Sequence, residues 1–275
     1  MNRILIVMCM ALCLVFHASC QDNVVNSELC VEDLQLNGAE EKVQLLVEKA
    51  RMGDAEAYLA LAQCYCEGDG VAKSWMNMMS MYACYAQRTG AEFEDVLMLI
   101  EEGHPFRMLI ELVESHSSDE EYSTKLNQIK QLLPAEAVVV ELMEDGVGMN
   151  DASILSVLRE AENNGSELAM LLQAMYYEDN DDAEYEDCLM RNATKYPLLY
   201  LMLAEHSTRK YQSSNNLSDI QQAVNYYYKA DEYGMLTRKS AIVLLNIYER
   251  FKETGGLEIN EQEMKRLNDI ATKIK

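Results

Sequence analysis

The chain has 275 residues, of which 49% are hydrophobic, and a formal charge of −23 from 46 acidic and 23 basic side chains. This charge repels phosphate backbones and anionic lipid head groups, so it argues against nucleic-acid binding and favours a basic or mainly apolar partner surface. The alternative interpretation is that the acidity only keeps the protein soluble. Only three prolines interrupt a composition rich in Leu, Met, Ala, Glu, Lys and Gln, which predicts an all-α fold.

The first residues have the pattern of a signal peptide. A positive start, Met1-Asn2-Arg3, precedes an apolar run over residues 4–16, and the small residues Ala18, Ser19 and Cys20 follow. We expect residues 1–19 to be removed. No later stretch reaches the roughly 18 apolar residues that a membrane-spanning helix needs.

Cys20 lies where the segment resembles a lipobox, the signal that places small residues before an acylated cysteine. Ala18 and Ser19 fit that pattern, whereas His17 stands where Leu, Val or Ile is usual. The resemblance implies lipidation at Cys20, a polar tether over residues 20–38 and attachment to a bacterial membrane on its periplasmic or surface side, through the lipid anchor only. A secreted protein cleaved near the same place is the alternative.

Residues 50–71 predict the start of a helical hairpin. Gly53 is expected to end one helix and Asp54 to cap the next, whose buried face recurs at four-residue spacing through Ala57, Leu61 and Tyr65. Gly68 and Gly70 then permit a tight turn with positive φ. A second helix is expected from about Ser74 to Gln87, with Met78, Met81, Tyr82 and Tyr85 available for its buried face.

This stretch resembles the Sel1-like repeat, a relative of the tetratricopeptide repeat, with the clearest match over residues 50–90. The signature residues are Ala50, Gly53, Ala57, Leu61, Tyr65, Gly68, Gly70 and Val71, and Ala62 replaces a glycine of the family pattern. The second helix departs further, since Ser74, Asn77 and Met78 stand where Asp, Lys and Ala are usual.

The resemblance implies a right-handed α-solenoid of Sel1-like hairpins over residues 39–275. Weaker echoes over residues 135–149, 161–177 and 230–248 suggest three to five hairpins. A last helix, at about 260–275, is expected to cover the open end of the stack. Capping boxes predict further helix starts at Ser118 with Glu121, at Ser218 with Gln221 and at Asn260 with Glu263, and Asn150 or Asp151 is expected to cap another helix.

The same resemblance implies a scaffold or adaptor that binds a protein or peptide in its concave groove, without catalysis and without a cofactor. Trp75, just beyond the glycine turn, is the candidate partner contact. Two alternatives remain open: a structural envelope lipoprotein without a dedicated ligand, and a β-lactam-binding enzyme, although the related β-lactam binders carry a regular cysteine pair in each repeat that this chain lacks.

No residue pattern predicts catalysis or a metal site. His104, His116 and His206 lie far apart in sequence, and no carboxylate accompanies them at a motif spacing. The acidic segment 178–187 contains an Asp179, Asp181 alternation that suggests calcium, but Ala183 breaks the series and Glu184 replaces the glycine that an EF-hand requires. We therefore expect a solvated acidic loop, with a docking patch for a basic partner as a further alternative.

The cysteines show no disulfide or zinc rhythm. In the predicted hairpin, Cys64 and Cys84 are offset by about ten residues, or about 15 Å along the helix axis. A disulfide tolerates Cα separations only up to about 7 Å. We therefore expect free, buried thiols at Cys64, Cys66 and Cys84.

The lipidation hypothesis predicts that Cys20→Ala moves the protein from the membrane fraction to the soluble fraction, because the variant lacks the thiol that carries the acyl chains. Fractionation of cells and intact-mass measurement of the native protein check this. Membrane retention of the variant, together with an unmodified Cys20 in the native protein, would contradict it.

Overall fold

The computed structural model describes residues 41–92, 95–96, 98–114, 119–144, 152–252 and 260–272, and in these residues all regular structure is helical, with no strand. The predicted all-α fold is confirmed. The helices are α1 Glu41–Arg51, α2 Ala55–Glu67, α3 Trp75–Thr89, α4 Pro105–Glu114, α5 Asp119–Leu132, α6 Pro134–Glu144, α7 Ile154–Asn163, α8 Glu167–Asn180, α9 Asp182–Asn192, α10 Leu198–Ser214, α11 Leu217–Glu232, α12 Arg238–Phe251 and α13 Glu261–Thr272.

The predicted repeat domain 39–275 contains two compact units. The central unit consists of the described residues between 94 and 191. The terminal unit consists of the described residues of 41–92 and 192–272 and is therefore built from two separate stretches of sequence.

The first stretch of the terminal unit forms the predicted hairpin. Asp54 caps α2 by accepting a hydrogen bond from the backbone N–H of Glu56, and Ser74 caps α3 by accepting one from that of Asn77. Gly68 and Gly70 both have positive φ, 78° and 75°, so the predicted glycine turn is confirmed. Helices α1, α2 and α3 pack in chain order.

The second stretch, α10 to α13, also packs in chain order. Asn216 caps α11 by accepting from the backbone N–H of Ser218, so the expectation of a cap at Ser218 is wrong. Asn260 accepts from the backbone N–H groups of Gln262 and Glu263, as the predicted cap at that position requires.

A buried ionic cluster joins the two stretches. The Asp231 carboxylate on α11 has a 2% exposed side chain and accepts hydrogen bonds from Arg51 on α1, at 3.1 and 3.3 Å, and from Arg266 on α13, at 2.8 and 3.0 Å. Arg266 also donates to Glu263 and to the backbone carbonyl of Arg51. Burial lowers the pKa of Arg266, but the hydrogen bond to Glu263 and the charge of Asp231 outweigh that effect and raise it.

Close backbone packing accompanies the cluster. Gly234, which follows α11 with φ of 72°, lies against α1 so tightly that a Cβ at this position would approach the Ala50 Cβ to 3.2 Å. Glycine is required here both by the positive φ and by the space.

The last helix, α13, is bonded to helices from both stretches. Arg88 on α3 donates to the Ile270 carbonyl at 2.6 Å, and Arg238 at the start of α12 donates to the Ala271 carbonyl at 2.7 Å. The expected helix near 260–275 is therefore present, but it holds the terminal unit together and does not lie at a free end of that unit.

The central unit contains a second buried carboxylate. Glu136 on α6 accepts from the Ser166 hydroxyl at 2.6 Å and from the backbone N–H groups of Glu167 and Leu168, at 2.8 and 3.2 Å. A carboxylate at this position satisfies free N–H groups and interacts favourably with the α8 dipole. The predicted features at 118 and 145–151 lie outside the described residues.

The junction between α1 and α2, where Gly53 has positive φ and Asp54 caps the next helix, recurs at two of the expected echoes. Helix α7 ends before Gly165, which has positive φ, and Ser166 caps α8; α11 ends before Gly234, and Thr237 caps α12. The alanines that follow these two caps, Ala169 and Ala241, are 0% exposed. Ala57, which follows the Asp54 cap, is 2% exposed.

The ionic cluster predicts a large stability loss in Asp231→Asn, because two half-buried guanidinium groups then lack the buried carboxylate with which they pair. We expect a loss of about 3 kcal/mol, in the range found when one partner of a buried ion pair is removed. The adjacent Glu232→Gln is the matched control, since its partner Lys229 is 53% exposed and such surface pairs contribute about 0–1 kcal/mol. Urea unfolding followed by circular dichroism measures both, and equal losses would contradict the importance of the cluster.

Candidate partner-binding surface

The repeat-signature residues build the hairpin from inside. Ala50, Ala57 and Leu61 are at most 2% exposed, and the Tyr58 hydroxyl donates to the Ala50 carbonyl at 2.8 Å. Tyr65 is half-buried, and burial raises the pKa of its hydroxyl to about 12. Val71 lies half-buried in the turn. These residues therefore have a packing role in the described structure.

Trp75, the candidate partner contact, is only 6% exposed, so the expectation of an exposed indole is wrong. It is the first residue of α3, and every residue from Trp75 to Cys84 is buried. The segment contains no charged side chain and is apolar on most of its circumference, which is the pattern of a helix surrounded by other elements. Among its few polar side chains, Asn77 donates to the Lys195 carbonyl at 3.0 Å.

The four cysteines in the described residues, Cys64, Cys66, Cys84 and Cys188, are free and buried, in agreement with the free thiols predicted at the first three. Burial raises the pKa of Cys66 to about 11, that of Cys84 to about 12 and that of Cys188 to about 11. Because the thiolate is the nucleophilic form, these thiols are unreactive at neutral pH.

The consecutive tyrosines of α11 point in different directions. Tyr227 is 1% exposed, whereas the Tyr228 hydroxyl hydrogen-bonds that of Tyr248 and Tyr226 lies against Tyr200. Tyr200 also stacks on Tyr233, with ring centroids 6.3 Å apart. This aromatic cluster packs α10 against α11.

The acidic segment 178–187 is helical except at Asp181, since it ends α8 and begins α9, so the expectation of a loop is wrong. Asp181 accepts from the backbone N–H groups of Ala183 and Glu184, and Asp187 pairs with Arg191 at 2.9 Å. In the described residues, no three carboxylates of this segment lie within ligand distance of one another.

The described histidines have local structural positions. His104 Nδ1 accepts from the backbone N–H of Phe106 at the start of α4, and the two rings are in edge contact. His206 is buried on α10, and His116 lies outside the described residues.

The negative charge of the chain is concentrated in one stretch. Residues 94–191 contain 24 acidic and 5 basic side chains, a formal charge of −19, whereas residues 41–93 and 192–275 together contain 17 of each sign. The terminal unit is therefore neutral and the central unit strongly anionic. Sequence reasoning missed this division, although counting charges along the chain would have revealed it.

The central unit also contains most of the exposed large apolar side chains. Of the eight in the described residues, five belong to it: Met98, Leu99, Leu132, Val138 and Met190, with exposed fractions of 44% or more in each case. The other three, Leu45, Met52 and Leu217, belong to the terminal unit.

Comparison with protein-family models, with curated proteins and with solved structures finds no match for the chain. Among the described residues, no helix is both long enough and apolar enough to cross a bilayer.

The raised tyrosine and thiol pKa values predict alkaline destabilisation of the terminal unit. Tyr65, Tyr82 and Cys84 have pKa values of about 12 in the folded chain, compared with ordinary values of 10, 10 and 9. Their neutral forms thus stabilise the fold fully below the ordinary values, and this stabilisation is lost as pH rises toward 12. Trp75, the only tryptophan, reports unfolding of this unit by its fluorescence.

We expect the urea midpoint of Trp75 fluorescence to fall as pH rises from 9 to about 11. Tyr65→Phe with Tyr82→Phe should make that fall shallower, because phenylalanine has no proton to lose. A midpoint that stays constant over this range, or falls equally in the double variant, would contradict the assignment.

Proposed function

We propose that the protein is an exported, non-enzymatic scaffold of helical hairpins that binds a cationic protein or peptide through its central unit. The observation that carries the proposal is the formal charge of −19 on residues 94–191, compared with a formal charge of zero on the residues of the terminal unit. If acidity served solubility alone, it would not need to be confined to one unit.

The Sel1-like resemblance supports a scaffold role. Its signature residue Gly53 lies between α1 and the Asp54 cap of α2, where the first hairpin begins. Related helix–glycine–cap–helix junctions surround Gly165 and Gly234. In the proposal these hairpins belong to a right-handed solenoid, and stacked hairpins of that kind present extended surfaces to other proteins.

Export and anchoring are supported by the sequence of residues 1–20. The proposal places the protein in a bacterial cell envelope, held to the membrane through lipidated Cys20. An anionic central unit is consistent with this arrangement, because it is repelled by anionic lipid head groups and remains available to a partner.

Site-specific photocrosslinking in living cells tests the proposal. We expect a photoreactive residue at Leu132 or Val138, both exposed in the central unit, to give a discrete adduct with a protein of net positive charge. Leu45, which is 52% exposed in the neutral terminal unit, is the matched control and should give less of that adduct.

The partner identified by mass spectrometry decides between the candidate functions. Raised ionic strength should weaken its binding to the purified protein, because the proposed attraction is electrostatic. No adduct from the central unit would indicate a structural lipoprotein without a ligand, and covalent labelling by penicillin would indicate the enzyme alternative.

A further inference from the structure

One segment of the central unit places two large apolar side chains in solvent side by side. Met98 is 67% exposed and Leu99 is 51% exposed, the first of these being the largest exposed fraction among the large apolar residues described. Val96 and Ile100, on either side, are 1% and 2% exposed. Met98 and Leu99 thus face water in a stretch that also contains two buried residues.

Arg107 on α4 forms hydrogen bonds to two residues of this segment. Its Nη1 donates to the Ile100 carbonyl at 2.8 Å, its Nη2 to the Met98 sulfur at 3.5 Å and its Nε to the Glu111 carboxylate at 2.9 Å. The Arg107 side chain is 16% exposed. These bonds connect Met98 and Ile100 to α4, and residues that are already restrained lose less freedom when a partner binds.

Carboxylates flank the apolar pair. Asp95, Glu101 and Glu102 are all exposed, and the nearby positive charge of Arg107 is already paired with Glu111. A surface of this kind disfavours nucleic acid and anionic lipid by charge, and it disfavours an uncharged apolar partner because the carboxylates would lose water without gaining a counter-charge. A partner with lysines or arginines around an apolar face would contact the apolar pair and also pair with the carboxylates around it.

We infer that Met98 and Leu99 are the apolar anchor that inserts between side chains of a cationic amphipathic segment of another protein, and that Asp95, Glu101 and Glu102 pair with the basic residues around it. This inference rests on the proposed function and assigns it a specific docking element. Apolar anchors surrounded by a charged rim carry most of the affinity in protein interfaces, whereas rim charges chiefly steer the encounter.

The probe for this element is a fluorescein-labelled amphipathic helical peptide made only of leucine and lysine, titrated with the full chain and followed by fluorescence anisotropy. Met98→Ser with Leu99→Ser should weaken its binding about tenfold, a difference of about 1.4 kcal/mol. Leu45→Ser with Met52→Ser, which removes comparable exposed apolar side chains from the neutral unit, is the control and should change the affinity less than about twofold. Circular dichroism verifies that both variants are folded.

Four results would overturn the inference, and they differ in whether the proposed binding of a cationic partner survives. Equal affinity in the two double variants would show that the anchor is elsewhere, while the proposed binding of a cationic partner would survive. Failure of the wild-type chain to bind the peptide, or equal binding of a peptide with glutamates in place of lysines, would remove both. Sedimentation with phosphatidylglycerol vesicles that depends on Met98 and Leu99 would assign the pair to a membrane surface.

Discussion

The Asp231 carboxylate is the group on which the terminal unit depends. It is almost completely excluded from water, and it meets guanidinium groups from α1 and α13 while belonging to α11. A charge buried in this way is tolerated only when its hydrogen-bonding capacity is filled, and Arg51 and Arg266 fill it from two directions. The cluster therefore fixes the register of three helices more strictly than apolar packing alone, because an apolar face tolerates sliding and a paired carboxylate does not.

The two units illustrate different uses of charge. In the terminal unit, acidic and basic residues are equal in number, and several arginines donate hydrogen bonds to carboxylates and backbone carbonyls within the unit. In the central unit, acidic side chains far exceed basic ones, and internal pairing as in Lys125 with Glu111 neutralises only a small part of them. The excess negative charge produces a long-range electrostatic field in the surrounding solvent. Such a field contributes little to folding, but it selects partners and speeds their association.

Local signals in the sequence predicted the helical fold and several of its boundaries. Asp54 and Asn260 cap helices as expected, the helix expected from about Ser74 begins at Trp75, and Gly68 and Gly70 form the expected turn. These features are decided by a few neighbouring residues. The cap at Ser218 was wrong because Asn216, an equally good capping residue, lies two positions earlier.

Features that depend on distant residues were not predicted. Arg51 and Asp231 are separated by 180 positions, and no short motif relates them. The burial of Trp75 also follows from tertiary packing, although the absence of charge from Trp75 to Cys84 was a usable signal. The candidate surface at Met98 and Leu99 depends on which apolar side chains of a short turn face solvent, and sequence periodicity does not decide that over so few residues.

The discontinuity of the terminal unit has a consequence for biosynthesis. Its first hairpin leaves the ribosome long before Gly234 and α13 exist, so Ala50 and Arg88 lack the residues that pack against them during most of translation. The central unit, in contrast, is contiguous and has its complete set of partners as soon as residue 191 has emerged. Closure of the terminal unit requires a contact that spans 215 residues between Arg51 and Arg266, so this unit cannot complete its fold until the last helix has been made.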